Sequence, residues 1–161
     1  MKPRIDVMKA DPKAYQAMYA LETYVRQSGI EQPLIELIRM RASQINGCAY
    51  CIDMHTKDAR AAGETEQRLY GLDAWEESPF YSERERAALA WTESLTLVSE
   101  THVPDEVFEE VKKHFSEAEI VALSMVVVSI NSWNRLAIAM RAVAGTYQPQ
   151  AHPQQANHKT A

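Results

Sequence analysis

From Glu117 to Ala144 the chain runs without a glycine or a proline. That is far too long for a strand. The triplet Val126-Val127-Val128, which alone favours β structure, is therefore expected to be helical. The segment is apolar around most of its circumference. A helix of that kind has to be buried, at the centre of a bundle or against another copy of the chain. Ser116-Glu117-Ala118-Glu119 marks its start as a capping box.

The remaining signals are also helical. Asp11-Pro12 caps a helix carrying Tyr15, Met18, Tyr19, Leu21, Tyr24 and Val25 at helical spacing, and Gly29 ends it. A second helix is expected from about Gln32 to Ile45, with Leu34, Leu37, Ile38 and Ile45 on its apolar face. Asn46-Gly47 is a turn signal, and a helix follows at once to about Ala62. So short a link makes these two an antiparallel pair. Thr65 opens a short helix, and residues 73–81 read as a loop holding Trp75, Pro79 and Phe80. Ser82-Glu83-Arg84-Glu85 is another capping box, opening a helix to about Val98. Val103-Pro104-Asp105 starts the next, which ends near His114-Phe115. There are no repeats and no hairpin signal. The expectation is an all-α single domain over 11–144, with an arm at 1–10 and a flexible C-terminal tail at 145–161.

The chain has 161 residues, a length that suits one domain and buries roughly 70% of the unfolded surface without covalent staples. A net charge of −5 argues against nucleic acid or an anionic membrane as partner. The polar start Met1-Lys2-Pro3-Arg4-Ile5-Asp6 does not read as a signal peptide, and the apolar run Ile120 to Ile130 is too short to span a bilayer. The expected compartment is the cytoplasm. There, two cysteines point to catalysis or metal binding rather than a structural disulfide.

Those cysteines are Cys48 and Cys51, at the mouth of the helix after Asn46-Gly47, with His55 one turn further on. Helix geometry puts Cα atoms three apart at ~5 Å, within disulfide range, and those four apart at ~6 Å on one face. Cys48 and Cys51 can oxidise to each other, and Cys51 can meet His55. Cys48 and His55 lie ~10.5 Å apart along the axis, too far for direct contact. A thiolate that attacks a peroxide becomes a sulfenic acid, which a second thiol condenses to a disulfide. We assign attack to Cys51 and resolution to Cys48. The reverse order, used by thioredoxin-like helices, stays open. Glu36 lies about as far before the turn as His55 lies after it, so the antiparallel pair brings it level with His55 as an orienting carboxylate.

Blander readings compete. The cysteines could be two small buried hydrophobes. Taken singly, His55 and Glu36 read as solvated helix residues, Arg39 and Arg41 as solvated, salt-bridged to an acid, or a source of positive potential around a thiolate, Tyr50 as packing, and Asp53 and Asp58 as exposed. A zinc site from Cys48, Cys51, His55 and Glu36 is the sharper rival, but Cys48 and His55 are too far apart to share one ion easily. No metal is expected.

With these residues placed, the chain resembles the alkylhydroperoxidase AhpD / carboxymuconolactone decarboxylase superfamily, in its peroxidase-related branch. The match is strongest over LIELIRMRASQINGCAYCIDMHTKDARAA, Leu34 to Ala62, with looser similarity to INSWNRLAI at 130–138. The specific part is Glu36 twelve residues before the CxxC with His55 four after it. The resemblance implies an AhpD-like helical bundle assembling as a homo-oligomer, trimer or hexamer. It implies a peroxidase reducing a hydroperoxide through Cys51, with Cys48 resolving and Glu36 and His55 as proton relay. No cofactor is implied. A dithiol reductant of lipoyl or thioredoxin type would restore the thiols. AhpD itself has a histidine between its cysteines where this chain has Tyr50. The decarboxylases of the superfamily lack the cysteine pair. A general dithiol–disulfide oxidoreductase and a non-enzymatic oligomer acting as redox sensor or binding module remain the alternatives.

Overall fold

The structure, a computed structural model, describes residues 2–149. Among these there are helices and no strands. The α-helices are α1 (Val7–Ala10), α2 (Pro12–Gln27), α3 (Gln32–Asn46), α4 (Ala49–Ala61), α5 (Glu66–Gly71), α6 (Glu83–Thr96), α7 (Val98–Thr101), α8 (Asp105–His114) and α9 (Glu117–Met140). A 3-10 turn, Leu72–Ala74, follows α5.

The local signals act as expected. Asp11 caps α2 through Lys13 N–H and Ala14 N–H, and both capping boxes, Ser82/Glu85 and Ser116/Glu119, form in full. Gly47 takes the left-handed conformation (φ 67°), which lets the Cys48 N–H reach back to the Ser43 carbonyl at 2.9 Å. The reversal is therefore immediate, and α4 runs back along α3.

The centre of the bundle is α3, not α9. Leu34 through Met40 are all buried, and α3 packs against α4, α6 and α9 together. α9 buries one stripe, including Ile120, Leu123, Val126, Val127 and Ile130, and leaves Val121 and Val128 exposed. By length and composition α9 could cross a membrane, but half of that apolar window is buried inside the protein. Two boundaries differ from expectation. α9 stops at Met140, because Arg141 turns left-handed (φ 57°) and Ala142 N–H closes onto the Ala137 carbonyl at 2.9 Å. A non-glycine residue there left no signal in the sequence. α6 stops at Thr96, and one separate turn, α7, follows.

The expected arm contains α1. Its Arg4 N–H donates to the Met140 carbonyl at 2.9 Å, and the Arg4 guanidinium donates to the Ala139 carbonyl at 3.0 Å. The expected tail begins inside an ordered contact, since residues 145–147 are hydrogen-bonded to α4. Its remainder, 150–161, lies outside the described residues.

Candidate active site

Helices α2, α3, α4 and α9 enclose a cavity of about 730 Å³, roofed by the arm and by residues just past α9. Each helix offers one face at 3.6-residue spacing: Tyr15, Tyr19, Glu22 and Arg26 from α2; Gln32, Glu36 and Arg39 from α3; Cys51, Met54, His55 and Asp58 from α4; Ile130, Trp133, Ala137 and Met140 from α9.

Cys48 and Cys51 are bonded to each other, with Cα atoms 5.4 Å apart. Both are buried, but only Cys51 lines the cavity. Cys48 is the N-cap of α4 and packs with Ala42, Cys51 and Ile130. The pair is therefore asymmetric, with one sulfur beside the cavity and the other behind it.

Of the four residues selected from the sequence, Glu36, Cys51 and His55 line the cavity together, and Cys48 is bonded to Cys51. Glu36 Oε2 meets His55 Nδ1 at 2.9 Å, and each residue is 4% exposed. The solvated readings of both therefore fail. Glu36 Oε1 accepts from Gln32 Nε2 at 2.8 Å and from Arg39 Nη1 at 3.0 Å. Arg39, also buried, turns its other terminal nitrogen to Glu22 at 2.5 Å. Burial pushes the Glu36 carboxyl up, but the His55 hydrogen bond and the His55 and Arg39 charges outweigh it and hold Glu36 below the usual carboxylate range. An ionised carboxylate only accepts. Nδ1 is then the donor to Glu36, and in the neutral imidazole Nε2 is left as the acceptor. This is the orienting logic of a nucleophile–base–carboxylate triad.

Sequence reasoning left Arg39 between a solvated and a salt-bridged reading, and the structure bears out the second; it missed Glu22 and Gln32. The available signal was that Gln32, Glu36 and Arg39 share one face at i, i+4, i+7. Asp58 is half-buried and lines the cavity rather than being exposed. Arg41 pairs with Glu93 and Asp73, away from the site. Tyr50 is half-buried on the cavity wall, and its phenol is raised by burial and by the nearby Tyr15, Asp53 and Asp58. It supplies wall where AhpD has a histidine. The zinc set does not assemble in this state: the two sulfurs are bonded to each other, and Glu36 is committed to His55, Gln32 and Arg39.

Known proteins share this architecture. YdfG of Bacillus subtilis, an uncharacterised protein, is 48% identical over 140 residues, covering 87% of this chain and 95% of its own. A solved structure from Agrobacterium tumefaciens, of unknown function and conjectured to be the antioxidant defence protein AhpD, is 46% identical. It superposes with a TM-score of 0.88 over 91% of this chain and all of its own. The debrominase Bmp8 is 25% identical, with a TM-score of 0.78 over 86% of this chain and 75% of its own. The sequence matches the carboxymuconolactone decarboxylase family over residues 12–94, the span that holds the cysteine pair and its Glu–His partner. The chain belongs to that family, on an AhpD-like all-α fold.

Proposed function

We propose that the protein is a thiol-dependent hydroperoxide reductase. The observation that carries this reading is the asymmetry of the pair: Cys51 opens on the cavity one turn from a buried Glu36-bound imidazole, while Cys48 lies behind it. In the reduced protein, His55 Nε2 takes the Cys51 proton. The thiolate attacks the outer peroxide oxygen, the O–O bond breaks, and the alkoxide leaves with the electron pair, taking its proton from the imidazolium. Cys51 is now a sulfenic acid. The Cys48 thiol displaces its oxygen as water and forms the disulfide. The peroxide gains two electrons, and the thiols lose two. An external dithiol of lipoyl or thioredoxin type returns them by exchange.

The test is anaerobic reduction of the protein followed by one equivalent of cumene hydroperoxide. Stoichiometric loss of two thiols and release of the alcohol support the reading. Unreacted thiols would remove it. A disulfide substrate run in parallel separates peroxidase from general dithiol–disulfide exchange.

A second reading has its own support. Tyr15, Tyr19, Tyr50, Trp133 and Tyr147 ring the cavity, whose volume far exceeds that of a peroxide group. Bmp8, a debrominase, has been solved in complex with 2,3,4-tribromopyrrole as a variant with one cysteine changed to alanine. The same thiol pair could reduce a halogenated aromatic: Cys51 takes the halogen, Cys48 displaces halide, and the ring carbon takes a proton. Halide release from bromopyrroles, set against peroxide turnover, separates the two. Either reading carries the homo-oligomer expectation, for which exposed Val121 and Val128 on α9 offer an apolar contact. Sedimentation of the wild type and of Val128→Glu checks it.

A further inference from the structure

Residues 142–147 lie outside the bundle and are tied to α4, the helix that carries Cys51 and His55. Three hydrogen bonds hold them. Gly145 N–H donates to Asp53 Oδ2 at 2.9 Å, Lys57 Nζ donates to the Tyr147 carbonyl at 3.0 Å, and the Tyr147 hydroxyl donates to Asp58 Oδ1 at 2.8 Å. Asp53 and Lys57 are paired with each other at 3.0 Å. Gly145 turns with φ 90°, a conformation that L residues avoid. Ala142 and Tyr147 then complete the cavity wall.

What Tyr147 holds is a second carboxylate beside the imidazole. Glu36, His55 and Asp58 each place one side-chain ligand atom within 4.8 Å of the other two. The ionisable groups that line the cavity with His55 are Cys51, Tyr50 and Asp58 on α4, Glu36 and Arg39 on α3, Tyr15 and Tyr19 on α2, and Tyr147. Glu22 of α2 acts through Arg39, Asp6 of the arm and Arg26 of α2 also line the cavity, and the α9 face there carries no ionisable group. The Tyr147 phenol is pushed upward by burial and by Asp58, so it remains a hydrogen-bond donor across the working pH range.

We propose that residues 142–147 form a strap whose Tyr147 is a positioning residue: by fixing Asp58 toward the cavity it sets a second carboxylate beside His55, which stabilises the imidazolium formed when Cys51 gives up its proton. The proposal rests on Cys51 as the reacting thiol, as the proposed function has it. It adds to that reading a wall and a partner contributed from beyond the residues matched to the family.

The experiment reads thiolate formation directly and needs no peroxide turnover. In a Cys48→Ser background, Cys51 is alkylated with iodoacetamide from pH 5 to 9. Tyr147→Phe keeps the ring and removes the hydroxyl, Asp58→Asn removes the charge, and Lys57→Ala loosens the strap while leaving every group beside His55 in place. Each should slow alkylation near pH 7, by about fivefold, and move the profile toward the higher pH of an unassisted thiol. In a His55→Gln background, Tyr147→Phe should add nothing, the signature of action through the imidazole. An unchanged profile in Tyr147→Phe overturns the proposal. So does equal slowing with and without His55, which marks Tyr147 as wall alone, or slowing in Asp58→Asn without slowing in the two strap variants. If the alkylation effects hold but peroxide is not consumed, the peroxidase reading fails and the positioning role stands. Circular dichroism of Tyr147→Phe and Lys57→Ala, both conservative or superficial changes, establishes that the fold is intact.

Discussion

The two walls of one cavity are built in opposite ways. The α3–α4 wall is charged, and its buried polar side chains are paired: Glu22–Arg39–Glu36–His55 is a continuous chain of contacts ending one turn from Cys51. Apart from Glu22 it comes from two adjacent helices and one turn. The opposite wall is mostly aromatic and aliphatic. It is assembled from Tyr15 and Trp133, in edge contact with centroids 5.8 Å apart, with Met140 and the arm residues Ile5 and Met8. The chemistry is thus local and rigid, and the shape offered to a substrate is made by distant segments. The first wall should tolerate almost no change in reactivity, whereas the second should respond to substrate size.

The sharpest break falls on the charged wall. Cys51→Ser should reduce peroxide consumption to the uncatalysed background, whereas Cys48→Ser should still consume one equivalent and then stop as a sulfenic acid, detectable by dimedone labelling. Glu36→Gln comes next. It keeps the shape and removes the charge that orients Nδ1, so kcat should fall about 10²-fold, in the range of a misdirected general base. Thermal unfolding should show a loss of about 3 kcal/mol, because Arg39 keeps only Glu22 as its charged partner. Equal activity in Glu36→Gln would mean that the imidazole does not need this carboxylate.

Arg39→Lys sharpens the comparison by pH. Glu36 sits below the ordinary carboxylate value near 4.5. Its stabilising contribution is therefore complete above that pH and is lost as pH falls through the lowered folded-state value. An ammonium lacks the two separate terminal nitrogens with which the guanidinium meets Glu22 and Glu36. The substitution should bring the Glu36 carboxyl back up, so that acid unfolding begins at higher pH than in wild type. An acid limb that stays in place would show that the guanidinium fork is not what holds the carboxylate down.

The same contrast explains what the sequence could convey. Gly47 announced the reversal, and equal distances from it placed Glu36 level with His55, a contact now seen at 2.9 Å. Such inferences work because a tight turn between two helices leaves few registers. Arg39 could not be placed so simply. Its burial depends on Glu22, one helix away, and a guanidinium is buried only where its partners happen to meet. Tyr147 was further out of reach, since its partner Asp58 is distant in sequence and Arg141, which ends α9, is not a helix-stop residue. The central position misleads for a related reason. α9 is apolar, but α3 can be buried on every side because its charges neutralise one another.

On the apolar wall the effects should be smaller and selective. Trp133→Ala removes the Tyr15 contact and enlarges the cavity. KM for cumene hydroperoxide should rise about tenfold, the scale of one lost aromatic contact plus its area. Kinetics with hydrogen peroxide should not change. If both substrates suffered alike, the wall would be supporting the catalytic residues rather than receiving the substrate.

The smallest effect is expected where neither wall is touched, at the start of α9. Glu119 accepts from Ser116 N–H at 2.8 Å and from Arg84 at 2.7 Å, and these bonds hold its carboxyl down at about 2. The depressed value means that the contribution is present above about 4.5 and fades as pH falls toward 2. Glu119→Gln weakens the box and the ion pair at an exposed helix end, at a cost of about 1 kcal/mol. Trp133 lies almost four turns further along α9, past the buried stretch from Ile120 to Ile130 that fixes the helix against α3. Fraying at Ser116 should therefore stop at that stretch. The melting temperature should drop by a few degrees, with KM for the bulky peroxide unchanged. A rise in that KM would mean that the capping box sets the position of the apolar wall, and the two walls would then differ in chemistry but not in how rigidly they are held.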